Sequence, residues 1–431
     1  MKHKRNLRWM SLDNAAKIFP AAMRRNWSNV FRLSATLTED VDRAVLQSAL
    51  DVVIKRFPSI AVRIKRGFFW YILEEIPSAP KIIDEKPYPL SRMLFDDIRK
   101  CAFRVIVYKK RIAVEFFHAL TDGNGGLVFL KTLVAEYIRQ KYGENVPFGG
   151  GILDCTEEPK ESELEDAFLK NAGGFAASRK DTNAFRITGK REVDGFKTNT
   201  TFIFDAEKIV AKAKEKGITV TAYMTAAMIV AVLRLQEKKI KKRSRRLPVK
   251  VLIPVNLRKM FGSKTLRNFV LYASPGVDPR LGDYTFDEIC DIVHHQMHLM
   301  ITEKNMSAMM TTNVNDEKPL LLRMTPLFIK NIVMKMIFDA VGEKKSCFSF
   351  SNLGVCNTPE EFSRYVSRID FVIGVQASAP YNVSAITYNG KFNLSVIRNI
   401  EKPLLEYEFY KVFSELGLSP TAESNMRIKE K

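Results

Sequence analysis

The segment His118-Ala119-Leu120-Thr121-Asp122-Gly123 lies between two strongly patterned stretches of the chain. Before it, Phe103 to Tyr108 and Ile112 to Phe117 predict two short strands joined by a tight Lys109-Lys110-Arg111 turn. After it, apolar residues recur at helical spacing up to a stop at Gly143, namely at Leu127, Leu130, Leu133, Val134, Tyr137 and Ile138. The sequence therefore predicts a strand, a loop that begins with His118, and a helix.

Further elements are expected on the N-terminal side of this segment. Apolar and polar residues alternate from Val30 to Leu37, which predicts a half-buried strand. Thr38 is a candidate cap for the helix that follows, which should end before Pro58. Short strands are predicted at Ile60 to Ile64 and at Phe68 to Leu73.

The second half of the chain repeats the order strand, tight turn, strand, loop, helix. Ser384 to Tyr388 and Phe392 to Ile397 flank Asn389-Gly390, a strong hairpin signal, and a helix is expected from Leu404 to Leu416. Arg398-Asn399 stands where the first half carries His118. The repetition predicts a duplicated α/β (α+β) fold of two lobes, each a mixed sheet flanked by helices.

Residues 149 to 195 are polar and weakly periodic, so we place the lobe boundary there, with lobes at 1–190 and 191–431. The second lobe should contain a strand at Thr201 to Phe204, a helix from Ala206 to Gly217, and a central helix from Thr221 to Leu235, apolar nearly all round. A second apolar stretch, Pro319 to Val341, is interrupted by basic residues. We interpret both apolar stretches as packed helices rather than membrane spans.

The composition narrows the possible classes of protein. The five cysteines are widely scattered, which fits a reducing cytoplasmic setting. Their spacing matches no zinc-binding motif. His294, His295 and His298 fall on a predicted helix, where a partly exposed face is a simpler interpretation than a metal site. The 68 Lys+Arg against 48 Asp+Glu favour anionic partners, yet no nucleic-acid-binding module is recognisable. The basic run Lys238 to Arg246 is either a solvated loop or a site for phosphates or an acidic carrier protein.

His118 is the strongest candidate for chemistry. An imidazole titrates near neutrality, and a strand end is a rigid mount, so His118 suits a general base; the simpler alternative is a loop histidine. Gly123, Gly125 and Gly126 would leave room for a substrate. Asp122 should hold the loop through a salt bridge to an arginine.

The motif resembles the His-x-x-x-Asp-Gly of the chloramphenicol acetyltransferase-like superfamily. Its members include bacterial alcohol acetyltransferases and peptide-synthetase condensation domains. Supporting segments are Pro254-Val255-Asn256-Leu257-Arg258, Leu266-Arg267-Asn268-Phe269 and Ser351-Asn352-Leu353-Gly354. The resemblance implies a site between two lobes at which an acyl group passes from acyl-coenzyme A or an acyl-carrier protein to an alcohol. It implies no bound cofactor or metal, and we expect a monomer.

By the same resemblance, the catalytic set would be His118, Asp122 and Ser351, with Ser351 donating to the oxyanion. The resemblance also implies that the substrate-binding residues are Gly123, Asn256, Arg258 and Asn352. Phe117 stands where condensation domains carry a second histidine, which weakens an amide-forming alternative. A non-catalytic binding protein with a degenerate site is the other alternative, and Ser351 could simply belong to a turn.

Overall fold

The computed structural model describes residues 7–24, 27, 29–177, 181–316, 324–337, 344–376 and 379–427. The strands are β1 Trp9–Ser11, β2 Val30–Leu37, β3 Val62–Arg66, β4 Tyr71–Glu75, β5 Ile83–Asp84, β6 Phe103–Tyr108, β7 Arg111–Phe117, β8 Thr198–Asp205, β9 Val249–Asn256, β10 Val270–Ala273, β11 Gly276–Val277, β12 Phe348–Val355, β13 Val366–Ile373, β14 Tyr381–Tyr388, β15 Lys391–Arg398 and β16 Thr421–Ser424. The helices are α1 Ile18–Ala22, α2 Arg43–Val53, α3 Phe95–Ile98, α4 Gly123–Tyr142, α5 Glu161–Leu164, α6 Ala167–Asn171, α7 Ala206–Glu215, α8 Val220–Lys239, α9 Arg258–Phe261, α10 Phe286–Met300, α11 Glu303–Asn315, α12 Leu327–Ile337, α13 Glu360–Ser363 and α14 Leu404–Glu415.

Two mixed sheets form the centres of the molecule, which confirms the predicted α/β fold. The first has the order β13-β2-β7-β6-β5 and packs against α4, which in turn packs against α2. The second runs β10-β9-β12-β14-β15-β8-β16, with β11 also paired to β9. β13 comes from the second half of the chain but completes the first sheet, antiparallel to β2. The lobe boundary near residue 190 stays a prediction. β13 lies after that boundary in the sequence, yet it belongs to the sheet of the first half.

The hairpin of β14 and β15 confirms the turn predicted at Asn389-Gly390. Both turn residues have positive φ, 46° at Asn389 and 71° at Gly390, as a two-residue hairpin turn demands. α8 confirms the predicted central helix, because it packs against α10, α14 and β9, and most of its residues between Ala222 and Gln236 are buried.

β2 corrects the prediction of a half-buried strand, because it is buried on both faces. Arg32 and Ser34 belong to its polar face, yet they are only 5% and 3% exposed. This face of β2 lines a polar cavity whose wall also includes Thr201 of β8. Residues from the second half of the chain therefore cover the polar face of β2. Arg32 is tolerated there because Glu115 and Glu85 neutralise its guanidinium.

Two predicted boundaries in the first half were wrong. Asp42, rather than Thr38, caps α2, because its carboxylate accepts hydrogen bonds from the backbone N–H groups of Ala44 and Val45. The strand expected from Phe68 starts only at Tyr71. Phe68 lies in the exposed turn between β3 and β4 and is 72% exposed.

Part of the apolar stretch 319–341 also differs from expectation. Its described portion does form a helix, α12, but much of its apolar face is exposed rather than packed; residues 319–323 and 338–341 lie outside the described residues. Over the described ranges, no single helix is long and apolar enough to cross a membrane, although the bent pair α7 and α8 passes that test by length and composition. The histidines of α10 are partly or fully exposed, as predicted.

Candidate active site

The loop at His118 joins β7 to α4, as the sequence predicts. The Asp122 carboxylate caps α4 by accepting hydrogen bonds from the backbone N–H groups of Asn124 and Gly125, both at 3.1 Å. α4 ends at Tyr142 and is followed by Gly143, whose φ of 69° would be costly for other residues.

The predicted salt bridge of Asp122 to an arginine is confirmed, and the partner is Arg258. The two guanidinium nitrogens reach the two carboxylate oxygens at 2.8 and 3.1 Å. Asp122 Oδ2 also accepts from the backbone N–H of Phe269 at 2.9 Å. The aspartate therefore ties the first half's loop to the second half of the chain, and its oxygens are fully engaged in that role.

The glycines of the loop do not all make room for a substrate. A Cβ at Gly125 would lie 2.2 Å from the carbonyl oxygen of Leu266, and one at Gly126 would lie 2.9 Å from the ring of Phe31. These two glycines instead let the start of α4 approach neighbouring segments closely. Gly123 does border the cavity described below.

The imidazole of His118 is oriented by Asn268. The Asn268 amide group donates to the His118 carbonyl oxygen at 3.1 Å and to Asp13 at 3.3 Å. Its Oδ1 therefore faces His118 Nδ1, 3.2 Å away, as an acceptor. An acceptor here favours the tautomer with the proton on Nδ1, which leaves the lone pair of Nε2 available as a base.

A buried carboxyl group stands behind Asn268. Asp13 is fully buried and accepts hydrogen bonds from the backbone N–H and the side chain of Asn268. Burial raises the pKa of Asp13 to about 6, although Arg267, at 3.8 Å, acts in the opposite direction. This chain of contacts fixes the side chain that holds His118.

Two aromatic rings enclose the imidazole. The ring centroid of Phe19 lies 4.7 Å from that of His118, and that of Phe31 lies 5.2 Å away in an edge-on arrangement. Burial lowers the pKa of His118, while the charge of Asp122 and the hydrogen bond to Asn268 partly oppose the shift. A lowered pKa keeps the imidazole neutral, which is the form that can accept a proton.

His118 opens onto a cavity of about 440 Å³ whose wall comes from both halves of the chain. The structure brings most of the predicted site residues to this wall: His118, Asp122, Gly123, Asn256, Ser351 and Asn352. Phe31, Phe371 and Leu353 give it an apolar part. The cavity can thus hold an apolar group beside a base and a hydroxyl.

Arg258 is the predicted site residue that is not brought to this wall. Besides Asp122, its guanidinium donates to the carbonyl oxygens of Thr265 and Arg267, so it stabilises the loop at 265–267. Asn352 is partly engaged as well, because its side chain donates to Thr221 Oγ1 and accepts from the backbone N–H of Gly354.

Phe19, Asp13 and Asn268 were missed as site residues. Asn268 belongs to the Leu266–Phe269 segment that carried part of the resemblance, and that was the available signal. Asp13 and Phe19 sit more than 90 residues before His118 and carry no local motif. Within the described ranges, no cluster of three or more His, Cys, Asp or Glu side chains is placed to hold a metal ion.

No protein-family model and no curated protein matches this sequence. Solved structures do match over nearly the whole chain. The trichothecene 15-O-acetyltransferase TRI3 from Fusarium sporotrichioides superposes with a TM-score of 0.62 at 12% identity, covering 95% of this chain and 94% of its own. F. graminearum TRI101, complexed with ethyl coenzyme A, gives 0.62 at 9% identity over 97% and 100% of the two chains.

An epimerization domain from the third module of tyrocidine synthetase B also matches, with a TM-score of 0.58 and 12% identity over 95% and 96% of the two chains. At such identities the likeness concerns the fold. The chain therefore has the two-lobed fold of the chloramphenicol acetyltransferase-like acyltransferases, as the resemblance implied.

Proposed function

We propose that the protein transfers an acyl group from a thioester to an alcohol hydroxyl, with His118 as the general base. The observation that carries this proposal is the environment of the His118 imidazole. Asn268 accepts a hydrogen bond from its Nδ1, burial lowers the pKa of the ring, and the ring opens onto a cavity lined by both halves of the chain. The fold it shares with acetyltransferases supports the same chemistry.

In the proposed reaction, His118 Nε2 takes the proton of the acceptor hydroxyl while the oxygen forms a bond to the thioester carbonyl carbon. The Ser351 hydroxyl, on the same cavity wall, donates to the resulting oxyanion. The carbon–sulfur bond then breaks, and His118 returns the proton to the departing thiolate. Asp122 and Arg258 act as positioning residues that hold the loop.

We infer that the donor is acyl-coenzyme A, because TRI101 adopts this fold with a coenzyme A derivative bound. The basic run Lys238 to Arg246 is a candidate for its phosphates, although several of its cations are already paired, as Arg243 is with Asp283. Gly123, Asn256 and Asn352 border the cavity and are candidate acceptor contacts.

The test measures free thiol release from acetyl- and longer acyl-coenzyme A with a panel of alcohols and amines. We expect His118→Ala to lower the rate about 10²- to 10⁴-fold, and Ser351→Ala to lower it about 10²-fold. His298→Ala, on the exposed face of α10, is the matched control and should match wild type.

Mass spectrometry of the product distinguishes an ester from an amide. Unchanged turnover in His118→Ala would contradict the proposed base. If the folded wild type releases no thiol from coenzyme A thioesters, the same assay with an acyl-carrier protein distinguishes a carrier-bound acyl donor from a non-catalytic binding role.

A further inference from the structure

α12 presents its apolar side outward, the reverse of an ordinary surface helix. Phe328, Ile332 and Met336 are 69%, 60% and 62% exposed, whereas Lys330 is completely buried. Lys330 Nζ donates to the carbonyl oxygen of Phe69 at 3.0 Å and lies 3.7 Å from the ring centroid of Trp70. Lys330 thus anchors α12 to the protein, while Phe328, Ile332 and Met336 are left exposed.

The turn between β3 and β4 extends this exposed surface. The backbone N–H of Leu327 donates to the carbonyl oxygen of Phe68 at 2.9 Å, so the turn and α12 are joined directly. We call the combined surface the outer apolar face; it consists of Phe68, Phe69, Phe328, Ile329, Ile332 and Met336. Contiguous exposed apolar surface of this kind marks an interaction site.

The two chain segments that form the outer apolar face are rich in basic residues. Val62 to Trp70 and Met324 to Ile337 contain no acidic residue. Arg66 and Lys335 are exposed, whereas Arg63 and Lys65 pair with Glu74 of β4 and Lys330 is buried. The whole chain has a net charge of +20. A second copy would bring like charges together, whereas a surface of anionic lipid headgroups complements them.

We propose that the outer apolar face docks the protein onto an anionic lipid bilayer. α12 lies in the plane of the interface, its apolar side chains and those of Phe68 and Phe69 enter the headgroup boundary, and Arg66 and Lys335 contact lipid phosphates. An 11-residue helix suits this arrangement, since it is far too short to span a bilayer.

The test is vesicle flotation of the full chain without substrate, so the result does not depend on catalysis. We expect binding to vesicles that contain phosphatidylglycerol as about a third of the lipid, weaker binding to phosphatidylcholine alone, and loss of binding at high salt. The double variant Phe328→Ser/Ile332→Ser should bind at least about tenfold more weakly. Phe175→Ser/Leu281→Ser removes two side chains that are 87% and 81% exposed elsewhere, and should bind as wild type does.

Lys335→Glu should weaken binding to the anionic vesicles and leave binding to phosphatidylcholine unchanged. The proposal fails if wild type does not float with either vesicle, or if the Phe328→Ser/Ile332→Ser variant floats as well as wild type. It also fails if sedimentation velocity shows that wild type is a dimer, that the Phe328→Ser/Ile332→Ser variant is a monomer, and that neither of them binds vesicles. A second copy of the chain would then cover the outer apolar face.

Discussion

The charge state of one imidazole should control the proposed reaction. Only neutral His118 can take a proton, so activity is lost as pH falls through its pKa. Burial between Phe19 and Phe31 lowers that pKa below its ordinary value of 6.5. We therefore expect the acid limb of kcat/KM to have its midpoint below pH 6.5, measured with a substrate that does not itself titrate in that range.

Asn268→Ala provides the matched comparison for this pH profile. The hydrogen bond that His118 Nδ1 donates to Asn268 Oδ1 raises the pKa of His118, so its removal should move the acid limb to still lower pH. It should also lower kcat, because Nδ1 loses the acceptor that fixes the tautomer. A wild-type midpoint above 6.5, or an Asn268→Ala profile shifted upward, would contradict the proposed environment of the base.

At the scale of elements, one ion pair joins the start of α4 to the segment around α9. Arg258→Met would leave the Asp122 carboxylate, whose side chain is 3% exposed, without its cation. We expect the free energy of unfolding to fall by about 3 kcal/mol, measured by urea denaturation. Arg280→Met is the control, since Arg280 forms a similar pair with Asp278 at the surface. Equal losses in the two variants would show that the Asp122 pair has no special structural role.

At the scale of the whole molecule, β13 makes the two halves interdependent. It covers the β2 edge of the first sheet, and its Ile369 and Phe371 enter the core of the first half. A fragment of residues 1–190 would expose unpaired β2 backbone and lack these side chains. We expect this fragment to show no cooperative unfolding by near-ultraviolet circular dichroism, unlike the full chain. A fragment that unfolds cooperatively by itself would mean that β13 is dispensable.

The sequence by itself determined the strand–loop–helix at His118, the Asn389-Gly390 hairpin and the central helix α8. Each depends on hydrophobic periodicity or turn chemistry within a few residues, and such local preferences are readable in a single chain.

Only the tertiary structure decided that Asn268, 150 residues after His118, orients its ring, that Arg32 is buried, and that α12 turns its apolar side outward. These features depend on which distant segments meet. Periodicity predicts that a helix has an apolar side, whereas only its packing partners decide whether that side faces the core or the solvent.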